Sequence, residues 1–198
     1  MYRWIGALAA ALALAACGGP TSVPGTPSAT VVTPADLAAL AERYGLPDCP
    51  ETDPDAPAVD GGLPRTDLAC LGSGTRVNLA GLPRTPTIVN VWAQWCEPCR
   101  EEAAFLREGL AELDGVSFVG INYNDPKPDW AVEFAGLVGW LYPHVVDQDK
   151  ELRVPLRVAG IPTTLFVTAD GAIAGVHAGP LESTAQLKEL AAEYLGAS

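Results

Sequence analysis

Trp92-Ala93-Gln94-Trp95-Cys96-Glu97-Pro98-Cys99 decides the reading of this chain, because it sets a Cys-x-x-Cys pair between two contrasting patterns. Before it, Thr87 to Ala93 is a continuous apolar run, as expected of a strand buried on both faces. After it, Cys99, Ala103, Leu106, Leu110 and Leu113 recur at helical spacing, which predicts a helix over Pro98–Leu113 with one apolar face. A cysteine at the head of a helix meets unpaired backbone N–H groups and the positive end of the helix dipole, and both favour thiolate over thiol. Thiolate is the attacking species in disulfide exchange. Cys96 is therefore the expected nucleophile. Cys99, one turn on and on the apolar side, is the expected shielded, resolving thiol. Pro98 falls in the first turn, where a missing N–H costs nothing. The bland alternatives are a permanent structural bridge and half of a zinc site. The zinc site would need a second ligand pair, and His144 and His177 lie far apart in the sequence.

Working outward, Thr66–Leu71 and Arg76–Leu79 flank Gly72-Ser73-Gly74 and read as a β-hairpin. Val116–Asn122 is a second buried strand, Pro128–Trp140 an inserted helix opened near Asp129, and Lys150–Leu156 a short helix. Thr163–Val167 and Ile173–Ala178 are strands joined across Asp170-Gly171. Ser183–Leu195 is a closing helix in which Ser183 and Gln186 form a capping box. Such alternation predicts an α/β domain with a central mixed sheet covered on both faces. Trp92 is expected in the core, with Trp130, Phe134 and Trp140 packing the inserted helix onto the sheet. Trp95 is expected to border a substrate groove beside Cys96.

The N-terminal part reads differently. Arg3, an apolar run from Trp4 to Leu14 and small residues after it form an export signal over 1–16; the run is shorter than the roughly 20 residues a bilayer span needs. Leu14-Ala15-Ala16-Cys17 resembles the lipobox of bacterial lipoproteins, which implies that Cys17 becomes a lipid-bearing N-terminus; an ordinary secretory signal is the alternative. Of the five cysteines, lipidation of Cys17 would leave four, which two pairs account for. Cys49 and Cys70 are then expected to form a structural disulfide, with a second redox relay as the alternative. Residues 17–33, rich in Pro, Ser, Thr and Gly, read as a flexible tether. Residues 34–64 read as a short helix over Ala35–Tyr44 and a Pro-rich loop, and 65–198 as the globular domain. The formal charge of −12, with 24 acidic against 12 basic residues, argues against nucleic acid as a partner.

Trp-Cys-Glu-Pro-Cys, the later Gly160-Ile161-Pro162-Thr163-Thr164 and the Asp170-Gly171 hairpin together resemble the TlpA/ResA-like branch of the thioredoxin superfamily, over roughly Arg65 to Leu195. The resemblance implies a thioredoxin-like fold, with the N-terminal hairpin and inserted helix, and an extracytoplasmic thiol–disulfide oxidoreductase without a cofactor or metal. It implies a cis Pro162 beside the redox pair, with Ile161 offering backbone groups to the substrate chain near Trp95, Glu97 and Pro98. It also implies a reductant of exported proteins, apocytochrome c among them, fed electrons by a membrane thiol transporter. An oxidant, or a non-catalytic binding module on the same fold, remains as an alternative. A thiol peroxidase is disfavoured because Gln94-Trp95 replaces the Thr-x-x-Cys context.

Glu102 follows Cys99 by three residues and flanks the apolar stripe. A partly buried carboxylate there would have a raised pKa and could move protons for Cys99, as the resemblance also implies; a surface carboxylate near a helix N-terminus is the plain alternative. Asn90 stands where thioredoxin itself has a buried aspartate and cannot shuttle protons. The proline that commonly kinks the active-site helix is replaced by Ala103-Ala104, so a straighter helix is expected.

Overall fold

The computed structural model describes Met1 and residues 32–197, so the export signal, Cys17 and nearly all of the expected tether lie outside the described residues. The chain from Val32 forms one compact unit. Its first element, α1 (Pro34–Tyr44), starts on a full capping box in which the Thr33 hydroxyl accepts from Asp36 N–H and the Asp36 carboxylate accepts from Thr33 N–H. It ends on Gly45, whose left-handed φ of 70° few other residues adopt at low cost.

A hairpin of β1 (Asp67–Cys70) and β2 (Arg76–Asn78) follows an irregular loop. The central strands are β3 (Thr87–Trp92), β4 (Ser117–Tyr123), β5 (His144–Asp147), β6 (Thr163–Val167) and β7 (Ile173–Ala178). Together they form one mixed seven-stranded sheet in the order β2-β1-β5-β4-β3-β6-β7. The pairs β3–β4 and β4–β5 are parallel and the remaining four are antiparallel. Every residue of β3 is buried, which explains its largely apolar pattern: Ile88, Trp92 and the polar Asn90 face the helices, while Val89 and Val91 face the other way.

Five helices contribute buried residues to that first face: α1, α2 (Glu97–Glu101), α3 (Ala103–Glu112), α4 (Pro128–Val138) and α5 (Thr184–Leu195). The opposite face is covered by irregular chain, with Cys49, Leu63, Leu79, Leu152, Leu156 and Val158 packed on Val89, Val91, Ile121 and Leu165. Residues 151–157 are a succession of turns, not the expected helix. Asp147 takes up the N–H groups of Glu151 and Leu152 at 2.7 and 3.1 Å, which closes turns where a helix would leave donors free. Strand β5 was not anticipated, since four residues beginning with a histidine carry little periodicity.

The expected single helix after the cysteine pair is two helices, α2 (Glu97–Glu101) and α3, interrupted at Glu102. Loss of the kinking proline does not straighten it. Glu102 has ψ of −6°, and its carboxylate is drawn between β3 and the segment entering α5. Trp92 and Trp140 are fully buried as expected, but Trp130 is 55% exposed and does not pack on the sheet. Trp140 lies beyond α4, which ends at Val138 with Gly139 in the left-handed region.

One close approach sets the centre of the sheet. His144 lies over Gly120, where an added Cβ would come within 1.9 Å of its Nδ1. That nitrogen accepts from Trp92 Nε1 at 3.2 Å, and Nε2 donates to the Trp140 carbonyl at 3.2 Å. Replacing Gly120 by Ala should therefore push the ring off both partners, at about 3 kcal/mol. For a domain of this size the melting temperature should fall by roughly 10 °C. A fall of less than about 2 °C in a thermal melt would show that the sheet relaxes around the methyl group.

Candidate active site

Cys96 is the N-cap of α2 and is joined to Cys99 by a disulfide, S–S 2.07 Å. Backbone atoms prepare the first sulfur: the N–H of Cys99 donates to Cys96 Sγ at 3.2 Å. In the reduced protein the same donor, with the helix dipole behind it, would hold a Cys96 thiolate. Cys99 is completely buried, and Cys96 is only 3% exposed. The first cysteine is thus less open in the oxidised state than an attacking group was expected to be. Trp95, Glu97 and Pro98 around it are exposed.

The approach to Cys96 is held from behind by Asp125, a buried carboxylate that sequence reasoning passed over. It accepts from the N–H of Gln94 at 2.8 Å, from Asn122 Nδ2 at 3.1 Å and from the N–H of Lys127 at 3.1 Å. Trp95 Nε1 donates to the Asn124 carbonyl at 3.2 Å. Only the fold shows that the segment Asn124-Asp125 braces the cysteine loop.

The Ile161–Pro162 peptide is cis. β6 runs antiparallel to β3 with Val91 opposite Thr163, which carries Ile161 and Pro162 to the end of β3 from which the Cys96 loop departs. Thr163 Oγ1 donates to the Gly160 carbonyl at 2.7 Å and Gly179 N–H to the Pro162 carbonyl at 3.0 Å, so this corner is fixed from both sides.

Glu102 is fully buried, more so than expected. Its Oε1 accepts from Asn90 Nδ2 at 3.1 Å and its Oε2 from the N–H of Leu181 at 2.8 Å. Burial pushes its pKa up to about 7, against the smaller opposing effect of the two donors. The two departures from the thioredoxin pattern are thus one unit, since Asn90 holds the carboxylate that stands near the cysteine pair. The Asn90 Oδ1 and the Thr164 hydroxyl opposite it on β6 have no partner among the described residues. An Asn90 amide flip would let Oδ1 accept from a protonated Glu102, so the network suits both charge states.

Cys49 and Cys70 are joined by a second disulfide, S–S 2.05 Å, both sulfurs buried. The N–H of Cys49 donates to Cys70 Sγ at 3.1 Å. Asp48, Cys49 and Cys70 also form the one cluster of three potential metal ligands among the described residues, but the two sulfurs are bonded to each other. Neither sulfur sits at a helix N-terminus. No helix among the described residues is long and apolar enough to cross a membrane.

Residues 52–193 match the protein family described as Redoxin. A thiol:disulfide interchange protein DsbE of Pseudomonas fluorescens biotype C is 36% identical over 138 residues, covering 67% of this chain and 73% of that protein. Another DsbE, of Allochromatium vinosum, is 32% identical over 163 residues, or 77% of this chain and 86% of its own. Among solved structures, a secreted Mycobacterium tuberculosis disulfide oxidoreductase homologous to E. coli DsbE superposes with a TM-score of 0.56 at 25% identity, covering 66% of this chain and 94% of that one. A secreted thiol-disulfide isomerase from Corynebacterium glutamicum does so with a TM-score of 0.57 at 29% identity, covering 65% and 82%. The thioredoxin-like fold is common to all of them.

Proposed function

The chain belongs to the Redoxin family, and from that premise we infer that it is a thiol–disulfide oxidoreductase whose reacting pair is Cys96 and Cys99. The observation that carries this reading is the oxidised pair at the N-cap of α2, with a backbone N–H on the first sulfur and the second fully buried.

In the reducing direction the Cys96 thiolate attacks one sulfur of a partner disulfide, forms a mixed disulfide and expels the partner's other sulfur as a thiolate, which takes up a proton. Cys99 then gives up its proton and attacks Cys96 Sγ. The partner leaves as a dithiol, and the Cys96–Cys99 disulfide is left behind. Two electrons have passed to the partner, and an external thiol donor must return them. Glu102, with a pKa of about 7, is equally able to hold or release a proton near neutrality and is suited to accept the one Cys99 loses. Ile161 and Pro162 provide the backbone edge for the substrate chain, with Trp95, Glu97 and Pro98 around it.

The protein acts outside the cytoplasmic membrane, anchored through a lipid on Cys17, and reduces disulfides of exported proteins, apocytochrome c being one candidate. A membrane thiol transporter supplies the electrons. The export signal, the lipobox and the resemblance to secreted relatives support this placement. The equilibrium potential of the Cys96–Cys99 couple tests the direction. A value near thioredoxin's, about −270 mV, is expected, whereas one near about −120 mV would reassign the protein as an oxidant.

A further inference from the structure

Six large apolar side chains are exposed in residues 32–197, and three of them, Trp95 beside Cys96 and Trp130 and Leu137 on α4, lie at 50–70% exposure. Trp130, Phe134 and Leu137 recur at i, i+4 and i+7 along α4. This side of α4 is distinct from the one that buries Ala131, Val132 and Ala135, and from the one on α1, where the Tyr44 hydroxyl donates to Glu133 at 2.9 Å. Phe134 is half-buried, its ring 5.7 Å from Trp92 and 5.5 Å from Trp140, so the stripe is rooted in the core. Trp95 is tied to Asn124, in the segment that leads into α4, so the stripe continues to the redox pair.

Basic groups rim it. Lys127 Nζ lies 5.7 Å from the Trp130 ring centroid, and the Arg100 guanidinium 5.4 Å from that of Phe134. Among the described residues neither cation has a carboxylate within 4.0 Å.

We propose that Trp95 and the face of α4 carrying Trp130, Phe134 and Leu137 dock the substrate polypeptide alongside its reacting cysteine, and select segments that combine apolar side chains with carboxylates. The proposal rests on the oxidoreductase reading and adds the class of segment it accepts. A disulfide at Cys96 brings its own chain to Trp95, and a contiguous apolar stripe gives that chain somewhere to lie. The two cations complement carboxylates on it. A second copy of this chain, itself at −12, is the less favourable occupant. Exposed Glu97 and Glu101 on α2 temper the charge selection, so apolar contact carries most of the affinity.

The test uses the reduced full-length protein and follows its exchange with three disulfides. These are glutathione disulfide, a peptide disulfide with Phe, Leu and Glu beside the cysteines, and the same peptide with Lys in place of Glu. The wild type should prefer the acidic peptide by roughly threefold, and 0.5 M salt should erase the preference. The double variant Trp130→Ser, Leu137→Ser should slow both peptides about tenfold and leave glutathione disulfide within about twofold. K127E should reverse the charge preference. Equal rates of variant and wild type on the peptides would overturn the proposal. So would equal slowing on all three disulfides, or sedimentation showing a dimer that the double variant dissolves. If the wild type exchanged with none of the three, the oxidoreductase reading itself would fall.

Discussion

Cys96→Ser is expected to reduce disulfide exchange by about 1,000-fold or more, because a serine hydroxyl is not ionised near neutral pH and is a poor nucleophile towards sulfur. Cys99→Ser should behave differently. The first attack proceeds, but with no second thiol to strike Cys96 Sγ the partner stays attached, and a mixed disulfide accumulates until an external thiol releases it. Cys99 has no exposed surface, whereas Cys96, at 3%, is flanked by exposed Trp95, Glu97 and Pro98, and this puts the first attack on Cys96. Non-reducing electrophoresis with mass spectrometry of the trapped adduct reads it directly. If Cys99→Ser turned over as fast as the wild type, or if the trapped partner hung on Cys99 in a Cys96→Ser protein, the order of attack would be reversed.

The second large effect concerns stability, and it is hidden in the native protein. Burial raises the Glu102 pKa from its ordinary 4.5 to about 7, so its contribution is fully present below pH 4.5 and is lost as pH rises through about 7. Burial lowers the His144 pKa from 6.5 to about 4, so the contribution of its neutral form is present above pH 6.5 and is lost as pH falls through about 4. Each span corresponds to about 3 kcal/mol. The two slopes oppose each other between pH 4.5 and 6.5 and largely cancel there. Glu102→Gln removes one of them. Its Nε2 would donate to a flipped Asn90 Oδ1, while its Oε1 keeps the Leu181 N–H. Denaturant titrations should find the variant about 3 kcal/mol more stable than wild type at pH 8, with the excess gone at pH 4. A constant difference across that range would mean that Glu102 has the same pKa in the folded and unfolded chains.

The part of this molecule that reads from local pattern is the part governed by periodicity and caps. The β3 run, the Asp170-Gly171 hairpin and the Thr33 and Ser183 starts each carry their signal within a few residues. The expected export signal and the lipobox-like stretch rest on the sequence alone, since they fall outside the described residues. The features that escaped depend on distant partners. The break at Glu102 comes where its carboxylate meets Asn90 and Leu181, and no spacing rule foretells that encounter. Residues 151–157 carry Pro155 in their interior, and Asp147 draws their first N–H groups into turns, so no helix forms there. Trp130 seemed a core residue because it is large and apolar; its exposure follows from which side of α4 meets the sheet. The bracing role of Asp125 exists only once β3 and β4 lie side by side, and the seat of His144 over Gly120 only once β4 and β5 do.

The Cys49–Cys70 bridge also determines how the domain responds to being pulled. A force entering at Val32 loads α1 and reaches Cys49, where the covalent path crosses directly to Cys70. The intervening chain, including β1 up to Ala69, is short-circuited and carries no tension, so β1 is not peeled from its start. That length stays stored until the bridge is reduced. A protein tugged from its N-terminal side would then yield in two stages, distinguishable by whether a reductant is present.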